Sequence, residues 1–137
     1  MTIKERNQDL RMVAELARVH LPTMLNDIDL CKDICAVIAI NLRRIAADIE
    51  KSASAWDKRT YHSKADELRR DMAWVLPTAQ IVEALAYSAR TLNQADVAHL
   101  QELVPVDIEL SSRPRFKDLE VLRGAAAAAR QTLLKKK

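Results

Sequence analysis

Apolar side chains along this chain recur in steps of three and four, the spacing that lines one face of an α-helix. The pattern first appears in Leu10, Val13, Ala14, Ala17 and Leu21, which predicts a helix over about residues 2–21, limited by Pro22. It is clearest from Met24 through Ile28, Cys31, Cys35, Ile38, Leu42 and Ile45 to Ile49, a sustained heptad seam. Leu30, Ile34, Val37 and Ile40 add apolar positions on other faces of that helix, so its middle is expected to be covered nearly all round.

A third region, starting near residue 55 or 63 and ending near 93, keeps the same rhythm in Tyr61, Ala65, Leu68, Met72, Val75, Ala79, Val82, Ala86 and Ala89. The phase survives Pro77, which predicts one long helix kinked at the proline. Ser54 with Asp57, or Ser63 with Asp66, offers a cap for its start. Asn93 followed by Asp96 predicts the cap of a short fourth helix carrying Val97, Leu100 and Leu103 and ending at Pro105. Val104, Val106, Ile108 and Leu110 then alternate with polar residues and proline, the period of an extended segment over 104–111. No second strand candidate exists, so the segment is expected to lie along the bundle, with strand pairing in a homodimer as an alternative. Ser112 and Pro114 predict the start of a last helix whose inner stripe is Phe116, Leu119, Leu122, Ala126, Ala129 and Leu133.

The predicted fold is therefore an all-α bundle of about four to five helices, two of them long and heptad-patterned, with one extended segment. Composition supports it: one glycine and four prolines in 137 residues leave little punctuation for strands and tight turns. Residues 1–134 are expected to form a single domain and 135–137 a disordered basic tail. The apolar fraction of 49% argues against a disordered chain, and the 30% charged fraction against an integral membrane protein. The longest apolar stretch, residues 34–42, is too short to span a bilayer and contains Asn41. The first ten residues lack the basic start and apolar run of a secretory signal, so a cytoplasmic location is expected.

Catalytic chemistry is not legible. A single glycine, Gly124, rules out phosphate loops of the P-loop and dinucleotide types, each of which needs several. The three histidines, His20, His62 and His99, lack the paired spacings of helical metal sites. Cys31 and Cys35 lie four apart on the apolar seam and read as buried reduced thiols rather than a disulfide, metal site or nucleophile. No catalytic residue, cofactor, metal or small-molecule substrate is expected.

The feature most suggestive of function is the spread of charge. Net charge is +3, yet residues 113–137 carry eight basic groups against Asp118 and Glu120. Arg43 and Arg44, and Arg69 and Arg70, form pairs beside the apolar seams of the long helices. Guanidinium forks suit phosphate oxygens and carboxylates alike. Arg43, Arg44, Arg69, Arg70, Arg113, Arg115 and Lys117 are therefore the candidate binding residues. Two partners fit them. One is the backbone of RNA or DNA within a nucleoprotein assembly whose other subunits pack on the helix faces. The other is an acidic protein surface, met by an adaptor or inhibitor module. A homo-oligomer is compatible with either. Only two Trp, two Tyr and one Phe are present, so base stacking would be sparse. Tyr61 and His62 beside Lys58 and Arg59 make one small polar-aromatic cluster, explained equally by a solvated helix start.

Overall fold

The computed structural model describes residues 1–135, and side chains as far as Leu133. The protein is an all-α bundle, with no strand among the described residues. Helix α1 (Ile3–Glu15) opens on a capping box: Glu5 N–H donates to Thr2 Oγ1 at 3.1 Å and Thr2 N–H to Glu5 Oε2 at 3.1 Å. The helix does not run on unchanged to Leu21. It widens into a π turn over Leu16–His20 and tightens into a 3-10 turn over Leu21–Thr23, which holds Pro22.

Helix α2 (Ile28–Lys58) is the axis of the molecule. Asp27 caps it by accepting the Leu30 N–H. The predicted seam is buried from Cys31 onward, with Cys35, Ile38, Leu42 and Ile45 essentially inaccessible and Ile34 likewise on the adjoining face, but its first two members fall away: Met24 precedes the helix and Ile28, its first residue, is 47% exposed. Covering that much of one helix requires neighbours on several sides, and α2 packs against α1 and the three helices α3 (His62–Asp71), α4 (Val75–Tyr87) and α6 (Ala125–Lys135).

The expected single kinked helix across Pro77 is two helices, α3 and α4, separated by residues 72–74. Pro77 is the third residue of α4, where a missing N–H removes no intrahelical bond. The break costs so few residues, with Met72 accepting from the Val75 N–H, that the apolar phase passes through it. None of the expected serine caps forms at α3. Tyr61 occupies the cap position without a side-chain bond, and Asp57 accepts from His62 Nδ1 at 2.8 Å instead.

The turn between α2 and α3 is a Schellman motif. Tyr61 N–H donates to Trp56 C=O and Thr60 N–H to Asp57 C=O, with Thr60 left-handed at φ 64°. Trp56 and Tyr61 make the apolar contact this motif favours, edge to face with centroids 5.6 Å apart.

Helix α5 (Gln94–Leu103) starts at the predicted Asn93–Asp96 capping box. The following segment is not a regular extended strand. Ile108 N–H bonds back to Pro105 C=O in a turn, and Val106 is 91% exposed, so the alternation there has no sheet to serve. The last helix also starts later than Ser112 and Pro114 suggest. Residues 111–118 are irregular, a 3-10 turn covers Leu119–Leu122, and Gly124, at φ 92°, leads into α6. Lys135 closes α6, and the rest of the expected tail lies outside the described residues. No described helix is long and apolar enough to cross a membrane.

Candidate functional site

The seven predicted basic residues do not converge on one patch; they fall on three parts of the surface. Arg43 and Arg44 stand at mid-length on α2. Arg43 reaches across to α4, where its fork meets Glu83 with Nη2–Oε1 at 2.6 Å and Nε–Oε2 at 3.0 Å. The hydrogen bonds from Glu83 hold the Arg43 guanidinium above its ordinary pKa. Arg44, whose side chain is 60% exposed, faces α1, with Nη2 3.9 Å from Asp9 Oδ2, beyond hydrogen-bond reach. That carboxylate oxygen is buried without a hydrogen-bond partner among the described residues.

Arg69 on α3 folds back onto α2, meeting Glu50 Oε1 at 3.1 Å and Asp57 Oδ2 at 2.9 Å. These bonds raise its pKa well above the arginine value and hold Glu50 below its own. Arg70 is exposed and makes no ion pair among the described residues. Arg113 and Lys117 are likewise exposed on the segment before α6 and unpaired among the described residues. Arg115 is a fastener: its backbone N–H donates to Glu15 and its Nη1 to Gln8 C=O at 2.9 Å. Of the seven, Arg43 and Arg69 have their forks filled by carboxylates of their own fold. Arg70, Arg113 and Lys117 present open charge, and Arg44 is paired only loosely, with Asp9 at 3.9 Å.

Several charged residues outside that set matter more to the architecture. Glu15, 3% exposed, accepts from the backbone N–H groups of Arg115 and Phe116 and from His20 Nε2 at 2.7 Å. Burial alone would raise its pKa, but these donors outweigh burial and hold it below the ordinary value. Arg18 donates to the carbonyls of Pro105 and Ile108. Asp33, 5% exposed, accepts from Gly124 N–H at 2.9 Å and Ala126 N–H at 3.0 Å, capping α6 from the side of α2. Lys32 donates to the carbonyls of Leu85, Ser88 and Arg90 and closes the end of α4. The sequence does hold a signal for two of them. Glu15 interrupts the run Val13-Ala14-Leu16-Ala17, and Asp33 sits between the two seam cysteines, both positions where an unpartnered charge would be costly.

A cavity of about 340 Å³ at the start of α6, lined by Lys32, Asp33, Arg123 and Arg130, has the outline of an anion site. Its donors are already engaged. Asp33 holds the helix N–H groups, Arg123 meets Asp27 at 2.7 Å and Glu120 at 2.6 Å, and Arg130 donates to Tyr87 C=O. The cysteines are equally committed. Cys31 Sγ donates to Met24 C=O, and burial pushes the Cys31 and Cys35 thiols up to about 11 and about 12. No group of three or more His, Cys, Asp or Glu able to hold a metal occurs among the described residues.

What stays open is a groove of about 510 Å³ where α2, α4 and α6 meet. Ile40, Tyr87, Ala129 and Leu133 form its apolar lining, and Arg43, Arg44 and Glu83 its charged wall. Ile40 is 41% and Leu133 49% exposed, so two large apolar side chains from separate helices face solvent in one concavity. The spacing predicts Leu133 on an inner stripe and Ile40 within a covered helix, whereas both are exposed in this groove. No protein-family model, curated protein or solved structure matches the chain.

Proposed function

We propose that the protein is a non-enzymatic helical subunit, working in the cytoplasm, that receives a segment of a neighbouring polypeptide in the groove between α2, α4 and α6. The observation that carries this reading is the pair Ile40 and Leu133, exposed in one concavity whose other walls are already packed. Grooves between helices recognise amphipathic helices by burying anchors spaced three and four residues apart. The wall here holds two guanidinium groups against one carboxylate, and Arg44 lacks a hydrogen-bonded counter-ion. The partner segment that fits is a helix with apolar anchors and an acidic flank.

The test is selection from a displayed library of helical peptides, with counter-selection on an Ile40→Asp, Leu133→Asp double variant. Both positions are substantially exposed, so the variant keeps its fold. Enriched sequences should show apolar residues at three-four spacing beside Asp or Glu, and should lose binding to the variant. Enrichment without that pattern, or equal binding to the variant, removes the groove as the site.

A second reading, contact with a nucleic-acid backbone, is favoured by the open charge of Arg70, Arg113 and Lys117 and by the loosely paired Arg44. It requires affinity for RNA or DNA whose logarithm falls linearly with the logarithm of salt and loses slope when these residues are reversed in charge. Arg43 and Arg69 contribute less to this reading than their place in the sequence suggests, because phosphate would have to displace Glu83, Glu50 and Asp57.

A further inference from the structure

The turn between α2 and α3 brings two aromatic rings together beside uncompensated cations. The Schellman motif brings Tyr61 against Trp56, yet the contact leaves Tyr61 52% exposed. Lys64, one turn into α3, places Nζ 4.8 Å from the Trp56 ring centroid and 5.8 Å from that of Tyr61. Lys58 and Arg59 are exposed on the preceding residues, and neither they nor Lys64 make an ion pair among the described residues. The one carboxylate within the turn, Asp57, is occupied by His62 Nδ1 at 2.8 Å and Arg69 Nη1 at 2.9 Å. His62 and then Arg69 hold it below the usual carboxylate range, so it stays an anion already matched by its own neighbours.

We propose that this turn binds single-stranded nucleic acid, with a base stacking on Tyr61 and flanking phosphates meeting Lys58, Arg59 and Lys64. Stacking needs a reachable base face, which a duplex hides and a single strand offers. Lys64 stands over the ring and Lys58 and Arg59 are exposed three and two residues before it, so a strand stacked on Tyr61 has cations nearby for its phosphates. An anionic membrane fits less well. The turn exposes one aromatic ring and no aliphatic anchor, and α3 continues with the exposed carboxylates Asp66 and Glu67. An acidic polypeptide would use the cations and leave the ring idle. This site is separate from the α2, α4 and α6 groove and stands or falls independently of it.

Fluorescence anisotropy should be measured at low salt with a labelled oligothymidylate and an abasic strand of the same length. The wild type is expected to bind the oligothymidylate more tightly than the abasic strand. Tyr61→Leu keeps an apolar contact with Trp56 but removes the π face. It should weaken oligothymidylate binding roughly five- to a hundredfold while leaving the abasic strand unaffected. Tyr61→Phe should restore the loss. Reversing Lys58 and Arg59 to glutamate should weaken both strands and flatten the salt dependence. If Tyr61→Leu melts below the wild type, the Tyr61 ring resonances of the wild type answer the same question. Their movement on adding oligothymidylate supports the site, and their stillness overturns it. The proposal is overturned by absence of binding at low salt, by equal affinity for the two strands, or by an unaltered Tyr61→Leu. It is also overturned if Arg113→Glu with Lys117→Glu alone removes the binding, or if polyglutamate or anionic vesicles bind as tightly.

Discussion

Thr60 is the residue whose backbone is least suited to its side chain. A β-branched residue at φ 64° sets its Cβ against the backbone, and the C′ position it fills in the Schellman turn is ordinarily glycine. Thr60→Gly should therefore raise the stability of the fold by about 1 kcal/mol, the usual penalty for a non-glycine residue in this conformation. Thermal denaturation of the two proteins reads the difference directly, and a lower melting temperature in the variant would show that the loss of Thr60 contacts outweighs the relief. At this scale the sequence was readable where a residue's partner is close along the chain. Thr2 with Glu5, and Asn93 with Asp96, are capping pairs three residues apart, although only the second follows from the pattern of the neighbouring helices. It was not readable where the partner is distant. Glu15 meets Arg115, Asp33 meets Gly124 and Arg18 meets Pro105, and no local rule connects those positions.

The elements those pairs join explain why the second half of the chain departs from its periodicity. Residues 104–124 cross the bundle with little regular structure, exposing Val106 and Val121, and are secured by polar anchors as well as by Val104, Ile108, Phe116, Leu119 and Leu122, which pack on the core. Arg18 holds the turn at 105–108, Glu15 the backbone of Arg115 and Phe116, and Asp33 the entry to α6. The π turn over Leu16–His20 adds a residue to the helical circuit between Glu15 and the residues that follow, at the place where both Glu15 and His20 serve this strap. The pH dependence of the strap follows from the Glu15 carboxyl, whose folded pKa lies below its ordinary 4.5. A carboxyl with a depressed folded pKa contributes its full stabilisation above the unfolded value and loses it as pH falls through the folded value. Protection of the Arg115 and Phe116 amides from hydrogen exchange, corrected for intrinsic rates, should hold from neutral pH down to about 4.5 and fall below it. In Glu15→Gln the same amides should be less protected at neutral pH, by the roughly 1.5–3 kcal/mol typical of hydrogen bonds to a buried charge, and should respond less to acid. Equal protection in the two proteins at neutral pH would assign the anchoring to Arg18 and Asp33 alone. The hydrophobic pattern missed the ends of elements and the irregular course of residues 104–124. An apolar phase records which face is buried, but it passes unbroken through the three residues between α3 and α4 and through the widened turn after α1.

At the scale of the whole molecule, the all-α class and the central helix were legible because burial of α2 is dictated by its own residues. The candidate groove was not, because its openness depends on where α6 begins and on what fails to cover Ile40. The same central helix supplies a probe of how the bundle opens. Cys31 and Cys35 lie on its buried seam, with thiols raised to about 11 and about 12 by removal from water. Only the thiolate reacts readily with a disulfide reagent, and near neutral pH the folded protein presents almost none of it. Labelling must then pass through an open state in which both cysteines regain an ordinary pKa. Its rate, when opening and closing are fast, measures the population of that state. We expect native protein to react orders of magnitude more slowly than protein in denaturant, with both thiols modified together. Ile38→Asp, which places an uncompensated charge at a fully buried position one turn from Cys35, should accelerate labelling of both cysteines in proportion to its loss of global stability. Proportional acceleration identifies the open state with the unfolded chain, as expected if α1, α3, α4 and α6 all depend on α2 for their buried faces. Cys31 reacting well ahead of Cys35 would instead locate a separate opening at the first turns of α2, where Asp27, Met24 and Arg123 are the contacts that must part.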